Sequence, residues 1–188
     1  MKWGLNRIFW GFIIITFHIN IGPIPILPDF IGYILIGNGL YSIINIDGTD
    51  ESFLKARKIT TIMVIISIIN LLLNIVPTEN KTPNILMSIY GVLVSSIAYV
   101  LYYYIIKGLK EEAIKKELFD FARSLERVWY AILACMTVHL SLLAFNINFI
   151  RNEHFTIVLW GLWILILIVR IVFLRYLRVA YNECEEEN

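Results

Sequence analysis

From Ile8 to Ile46 the chain carries one formally charged side chain, Asp29, and its apolar run is interrupted by Pro23, Pro25 and Pro28. A proline lacks a backbone N–H and pushes the preceding residue out of the α region. The segment from Gly22 to Tyr33 therefore cannot continue a helix. An apolar run of this length with a rigid break predicts two helices joined by an extended turn, neither suited to a water-facing surface. The rest of the chain has the same character. Of its 188 residues 59% are hydrophobic and 16% charged, against about 45–50% and 25% in soluble domains. The expected fold class is all-α: a polytopic membrane helix bundle with six transmembrane helices in three hairpins.

The first expected span is 3–22. Its apolar core is short, and it reaches the roughly 20 residues of a crossing only with Trp3 to Arg7 at the interface. The second is 30–46, with Asp29 as N-cap directly after Pro28. Asp47-Gly48 reads as a turn. The third, 59–76, follows Lys55, Arg57 and Lys58 and is stopped by Pro77. The fourth, 84–106, opens at Pro83, which suits a first helical position, with Thr82 as cap. The fifth and sixth are 128–150 and 155–177. Between spans four and five, 109–126 reads as a cytoplasmic amphipathic helix. Ile114, Leu118, Phe121 and Leu125 share a face, and Glu111–Lys115 and Glu112–Lys116 are i,i+4 pairs. That helix is a possible docking surface for a protein partner. Residues 1–181 form one membrane domain, and 182–188 an acidic tail.

Charge selects six spans over five. With the N-terminus inside, 13 Lys and Arg fall on the cytoplasmic side and two, Lys81 and Arg151, outside. This is a positive-inside pattern; it places both termini in the cytoplasm and the proline-rich turn on the outer face. Arg170 is left inside the sixth span, and the expectation is that it snorkels to the cytoplasmic surface. Lys2 and Arg7 before an apolar stretch resemble a signal peptide, but no small-x-small cleavage site follows, so the segment is expected to be retained. A net charge of +1 gives no basic surface for nucleic acid. The bilayer itself is the expected partner.

Small and polar residues recur at heptad-like spacing. They include Gly4, Gly11 and His18, then Gly32 and Gly39 beside Asn38, then Ser67, Asn70 and Asn74, then Ser88, Gly91 and Ser95, and finally Cys135 and His139. In lipid, small residues let backbones approach, and Asn, Ser and Thr bond across helices, so a packed core is the first reading. The alternative is a polar path lined by Asn38, Asn70, Asn74 and His139, as in a small-molecule permease. A third reading is a membrane metal site from His18, His139 and Asp29. The spans hold no carboxylate of the kind coupled carriers use. No His-Glu-x-x-His, Gly-x-Ser-x-Gly or P-loop pattern occurs. No catalytic residue and no cofactor are expected.

At Arg7–Gly11, Ile26–Tyr33 and Phe53–Arg57 the chain resembles a group of small multipass membrane proteins of low-GC Gram-positive bacteria, most specifically at Leu27-Pro-Asp-Phe-Ile-Gly-Tyr33. The group has no assigned activity. The resemblance implies a bacterial plasma-membrane location and makes Pro28, Asp29 and Gly32 a structural signature. The 35 isoleucines fit an AT-rich genome. The functional expectation is a non-enzymatic accessory or assembly factor acting through protein partners.

Overall fold

A computed structural model describes residues 1–17, 20–21, 24–25, 28–47, 51–75, 85–149 and 153–183. Among these the chain is all-helical apart from one two-residue ladder. In order it forms α1 (Lys2–Thr16), β1 (Asn20–Ile21), β2 (Ile24–Pro25), α2 (Asp29–Asp47), α3 (Glu51–Ile75), α4 (Ile85–Lys115), α5 (Phe119–Phe149) and α6 (Glu153–Glu183). β1 and β2 are antiparallel, with Asn20 opposite Pro25 and Ile21 opposite Ile24. The proline break is thus a tight reversal. Asp29 opens α2, and the Ile31 N–H bonds the Pro28 carbonyl at 3.0 Å. Two described segments, Asp29–Ile46 and Tyr90–Lys115, are long and apolar enough to cross a membrane.

Each helix packs antiparallel on the next, and α6 returns to α1, so the helices close into an up-and-down ring. Gly4 meets Gly39 and Gly11 meets Gly32. Arg57 lies over Tyr41, and Phe53 faces Gly108. Tyr103 touches Trp129, Phe121 stacks near Tyr176, and Arg178 reaches Phe9. One consequence is electrostatic. The starts of α1, α3 and α5 and the ends of α4 and α6 share one end of the ring, which gathers Lys2, Arg7, Lys55, Lys107, Arg127, Arg175 and Arg178. Away from that end much of the exposed surface is apolar. Ile65 on α3 and Trp160 on α6 are 54% and 69% exposed.

The α1–α2 seam is a backbone contact. A Cβ at Gly4 would stand 2.6 Å from the Gly39 carbonyl oxygen, and one at Gly39 would stand 2.5 Å from that of Gly4. Gly11 and Gly32 repeat the arrangement one heptad on, at 2.6 and 2.8 Å. Ile8, Ile15, Ile36 and Ile43 fill the flanks of the seam and are buried. Gly91 and Gly161, by contrast, have open space where a Cβ would point. The stripe on α4 is therefore not a close-approach face. At the ring's centre Phe12, Tyr102 and Phe173 meet, with ring centroids 4.9, 5.1 and 5.1 Å apart.

The hydroxyls behave differently from expectation. Ser42, Thr60, Thr61, Ser96, Thr137 and Ser141 each donate to the carbonyl four residues back on their own helix. That local bond satisfies the hydroxyl wherever it faces, so no neighbouring helix is required. Tyr90 makes a cross-helix bond, to the Ile66 carbonyl at 3.3 Å.

Two boundaries need correction. The expected span 3–22 is helical to Thr16, where the Phe17 N–H makes a last bond to Ile13 and its φ of −102° and ψ of 53° leave the helix. Fifteen residues rise about 22 Å, short of the ~30 Å hydrocarbon core. The sequence beyond Thr16 leads into Asn20–Ile21 of the ladder, where extended backbone replaces helix. The expected amphipathic helix 109–126 is not one element either. α4 continues to Lys115, the chain reverses at 116–118, and α5 begins at Phe119. The Leu118 N–H bonds Ala113 at 2.9 Å and the Glu117 N–H bonds Ile114 at 3.0 Å. Glu117 has a φ of 60°. This is a Schellman stop with Glu in the left-handed position usually held by glycine. Charge density had suggested a separate helix, but hydrophobic spacing on each side of the reversal continues that of spans four and five.

Candidate functional site

The sequence-predicted residues scatter. Gly32 sits in the α1–α2 seam, and Asp29 is the first helical residue of α2 instead of the cap before it. Asn38 and Asn70 lie on exposed surface of α2 and α3. His139 is half-buried on α5, edge-on to Trp163 with ring centroids 6.1 Å apart. Asn74 falls in α3 with its side chain outside the described residues, as does His18 entirely. Among the described residues no three His, Cys, Asp or Glu side chains come together as a metal site would require. Asn38 lies on the exposed face of α2 with Ile34 and Tyr41, away from the ring's interior, where Phe12, Tyr102 and Phe173 stand.

Part of the stretch expected to dock a partner, 109–126, packs inside the fold. Leu109 and Ala113 of α4 and Ala122 and Leu125 of α5 are buried. Ile114, placed by periodicity on the same face as Leu125, is 45% exposed. The polar side of this hairpin is knitted into the fold. Ser52 of α3 donates to Glu111 at 2.6 Å, and Lys110 pairs with Glu126 at 3.0 Å. Glu112 is buried and held by Lys115. At the start of α3 the Lys55 ammonium bonds Glu51 at 2.7 Å and holds that carboxyl below the ordinary glutamate range.

What the fold does assemble is a cleft around Arg170. Tyr102 of α4 forms its floor. Ile132, Cys135 and Met136 of α5 and Ile166 and Arg170 of α6 form its walls. Its enclosed space is about 10 Å³, room for roughly one oxygen-sized atom. Cys135, Val169 and Arg170 are half-buried, so one side opens between α5 and α6. The Arg170 Nε is buried without a hydrogen-bond partner. Tyr33, Tyr102 and His139 lie within electrostatic reach of its guanidinium. Among the described residues no carboxylate forms a salt bridge with it. The side chain therefore turns into the bundle instead of extending to the charged end.

Sequence reasoning did not single out Tyr102 from the adjacent Tyr103 and Tyr104. Its neighbours are indeed peripheral: Tyr103 is exposed, and Lys55 lies over the Tyr104 ring. The signal that separates them is present. Tyr99, Tyr102, Ile106, Leu109 and Ala113 are all buried, and their alternating three- and four-residue spacing marks one helix face. Family models, characterised proteins and solved structures yield no match to this chain.

Proposed function

We propose that this chain is an integral plasma-membrane protein of the Gram-positive bacterial group it resembles, with six crossings and both termini cytoplasmic. It acts without catalysis, as an accessory or assembly factor that associates with other membrane helices. The observation that carries this reading is the outward display of Asn38, on the exposed face of α2 with Ile34 and Tyr41, from a ring closed around aromatic side chains. An exposed amide in hydrocarbon lacks partners, and a neighbouring helix supplies them at about 0.6–2 kcal/mol per bond. The apolar surface of α3 and α6 and the collection of cations at one end support the membrane reading. A permease path through Asn38 is disfavoured, because that side chain shares the exposed face of α2.

A photo-crosslinking residue at Asn38 or Asn70, irradiated in native membranes, is expected to yield a defined protein adduct. Adducts with lipid alone at both positions count against association. The topology is checked separately with single cysteines in a Cys135→Ser, Cys184→Ser background. Cysteine at Lys58 or Arg123 should resist an impermeant maleimide in intact cells, and cysteine at Lys81 or Arg151 should react. Labelling of all four, or the reverse pattern, overturns the six-crossing arrangement.

A further inference from the structure

We propose that the α5–α6 cleft at Arg170 is a binding site for one anionic oxygen of an amphiphile, a phosphate or carboxylate whose apolar part lies along the open side of the cleft. The proposal rests on the membrane reading and adds a ligand class to it. Three features of the cleft converge. Arg170, whose Nε is buried and unpartnered, lines a void of about 10 Å³. Leaving a buried donor unsatisfied is unfavourable, and a cation without a counter-charge is more so. An oxyanion supplies both an acceptor and a charge, and guanidinium binds phosphate and carboxylate with matching geometry.

The surroundings select an amphiphile over a bare ion. Ile132, Met136 and Ile166 make the walls apolar, and the Tyr102 side chain closes the floor. The void accommodates one oxygen, so the remainder of the ligand stays outside, against the exposed Leu133, Trp163 and Leu167. Depth is compatible. Arg170 lies five residues from Arg175, a rise of about 7–8 Å, and a headgroup of the inner leaflet can meet an arginine at that distance.

The test uses the full chain in nanodiscs of phosphatidylcholine, with or without phosphatidylglycerol. Native mass spectrometry of protein released from mixed discs should find one phosphatidylglycerol retained. Arg170→Gln should reduce that occupancy about tenfold or more, as loss of a charge-assisted bond implies, while Arg175→Gln should not. Cys135→Phe keeps the arginine and fills the mouth, and it should lose the lipid as well. In neutral discs Arg170→Met should melt at or above the wild-type temperature, and phosphatidylglycerol should raise Tm only in the wild type. Inorganic phosphate that raises wild-type Tm in neutral discs, and leaves Arg170→Gln unmoved, identifies the free anion as the source. Equal lipid retention and equal Tm responses in wild type, Arg170→Gln and Cys135→Phe overturn the site. Failure of the wild-type chain to enter discs overturns the membrane reading beneath it.

Discussion

A left-handed glutamate ends α4. At the φ of 60° that Glu117 adopts, a side chain costs about 1 kcal/mol that glycine avoids. Glu117→Gly is expected to stabilise the protein by about that amount, and Glu117→Val, β-branched at the same φ, to destabilise it further. Thermal unfolding in mild detergent reads both; a neutral Glu117→Gly would mean the turn relaxes. The glycines permit a sharper contrast. Gly11→Ala and Gly39→Ala put a methyl against a backbone oxygen that cannot rotate away, and each should cost about 1–3 kcal/mol as overpacking does. Gly91→Ala and Gly161→Ala meet open space and should be neutral or gain up to about 1 kcal/mol in helix propensity. Equal effects at the four positions would show that the seam is not a backbone contact.

Between elements, the contact of α3 with α4 is fixed by a ring in a notch. Phe53 is 1% exposed, and a Cβ on Gly108 would stand 2.6 Å from its ring. Phe53→Ala should cost about 3–5 kcal/mol. Gly108→Ala should be destabilising alone but nearly neutral in a Phe53→Leu background, because the shorter side chain clears the added methyl. A double-mutant cycle measures that coupling, expected at about 0.5–3 kcal/mol; additive effects would separate the two residues. The first turn of α3 adds a pH response. Glu51 has its carboxyl depressed by Lys55, so the pair's contribution is fully present above the ordinary glutamate pKa and lost as pH falls through the depressed one. Both side chains are exposed to solvent, so the effect is small. It should vanish in Glu51→Gln when Tm is followed from neutral to acidic pH, and an unchanged acid response in that variant would assign the sensitivity elsewhere.

For the molecule as a whole, closure of α6 onto α1 matters most. Phe173 on Phe12, Arg178 over Phe9 and Lys2 near Tyr181 join the two ends of the chain. They also bring Arg170, from the last helix, beside Tyr102 of α4 and within electrostatic reach of Tyr33 of α2. The cleft itself is lined by three helices, α4, α5 and α6. No single hairpin contains it.

The sequence by itself determined the helical class, the antiparallel reversals and the gathering of basic residues at one end. Each follows from local chemistry: prolines that forbid helix, apolar runs between charged turns, and alternation of helix direction. It also marked Gly4, Gly11, Gly32 and Gly39, because two heptad-spaced glycine pairs leave few other uses for the missing side chains. It misjudged lengths. Residues 109–126 divide between α4 and α5, because a Schellman stop can be made by a non-glycine residue and Glu117 gives no local sign of it. Only the tertiary structure decided the direction of each polar stripe. Asn38 keeps its place in the helical repeat whether it faces inward or outward, since periodicity fixes a face and not its neighbour. Arg170 is the clearest case. One arginine in an apolar helix can snorkel or turn inward, and the choice depends on whether α4 and α5 leave it a cleft. That cleft needs Tyr102 and Cys135, 68 and 35 residues away along the chain, as well as Ile166 and Val169 of the helix that carries Arg170.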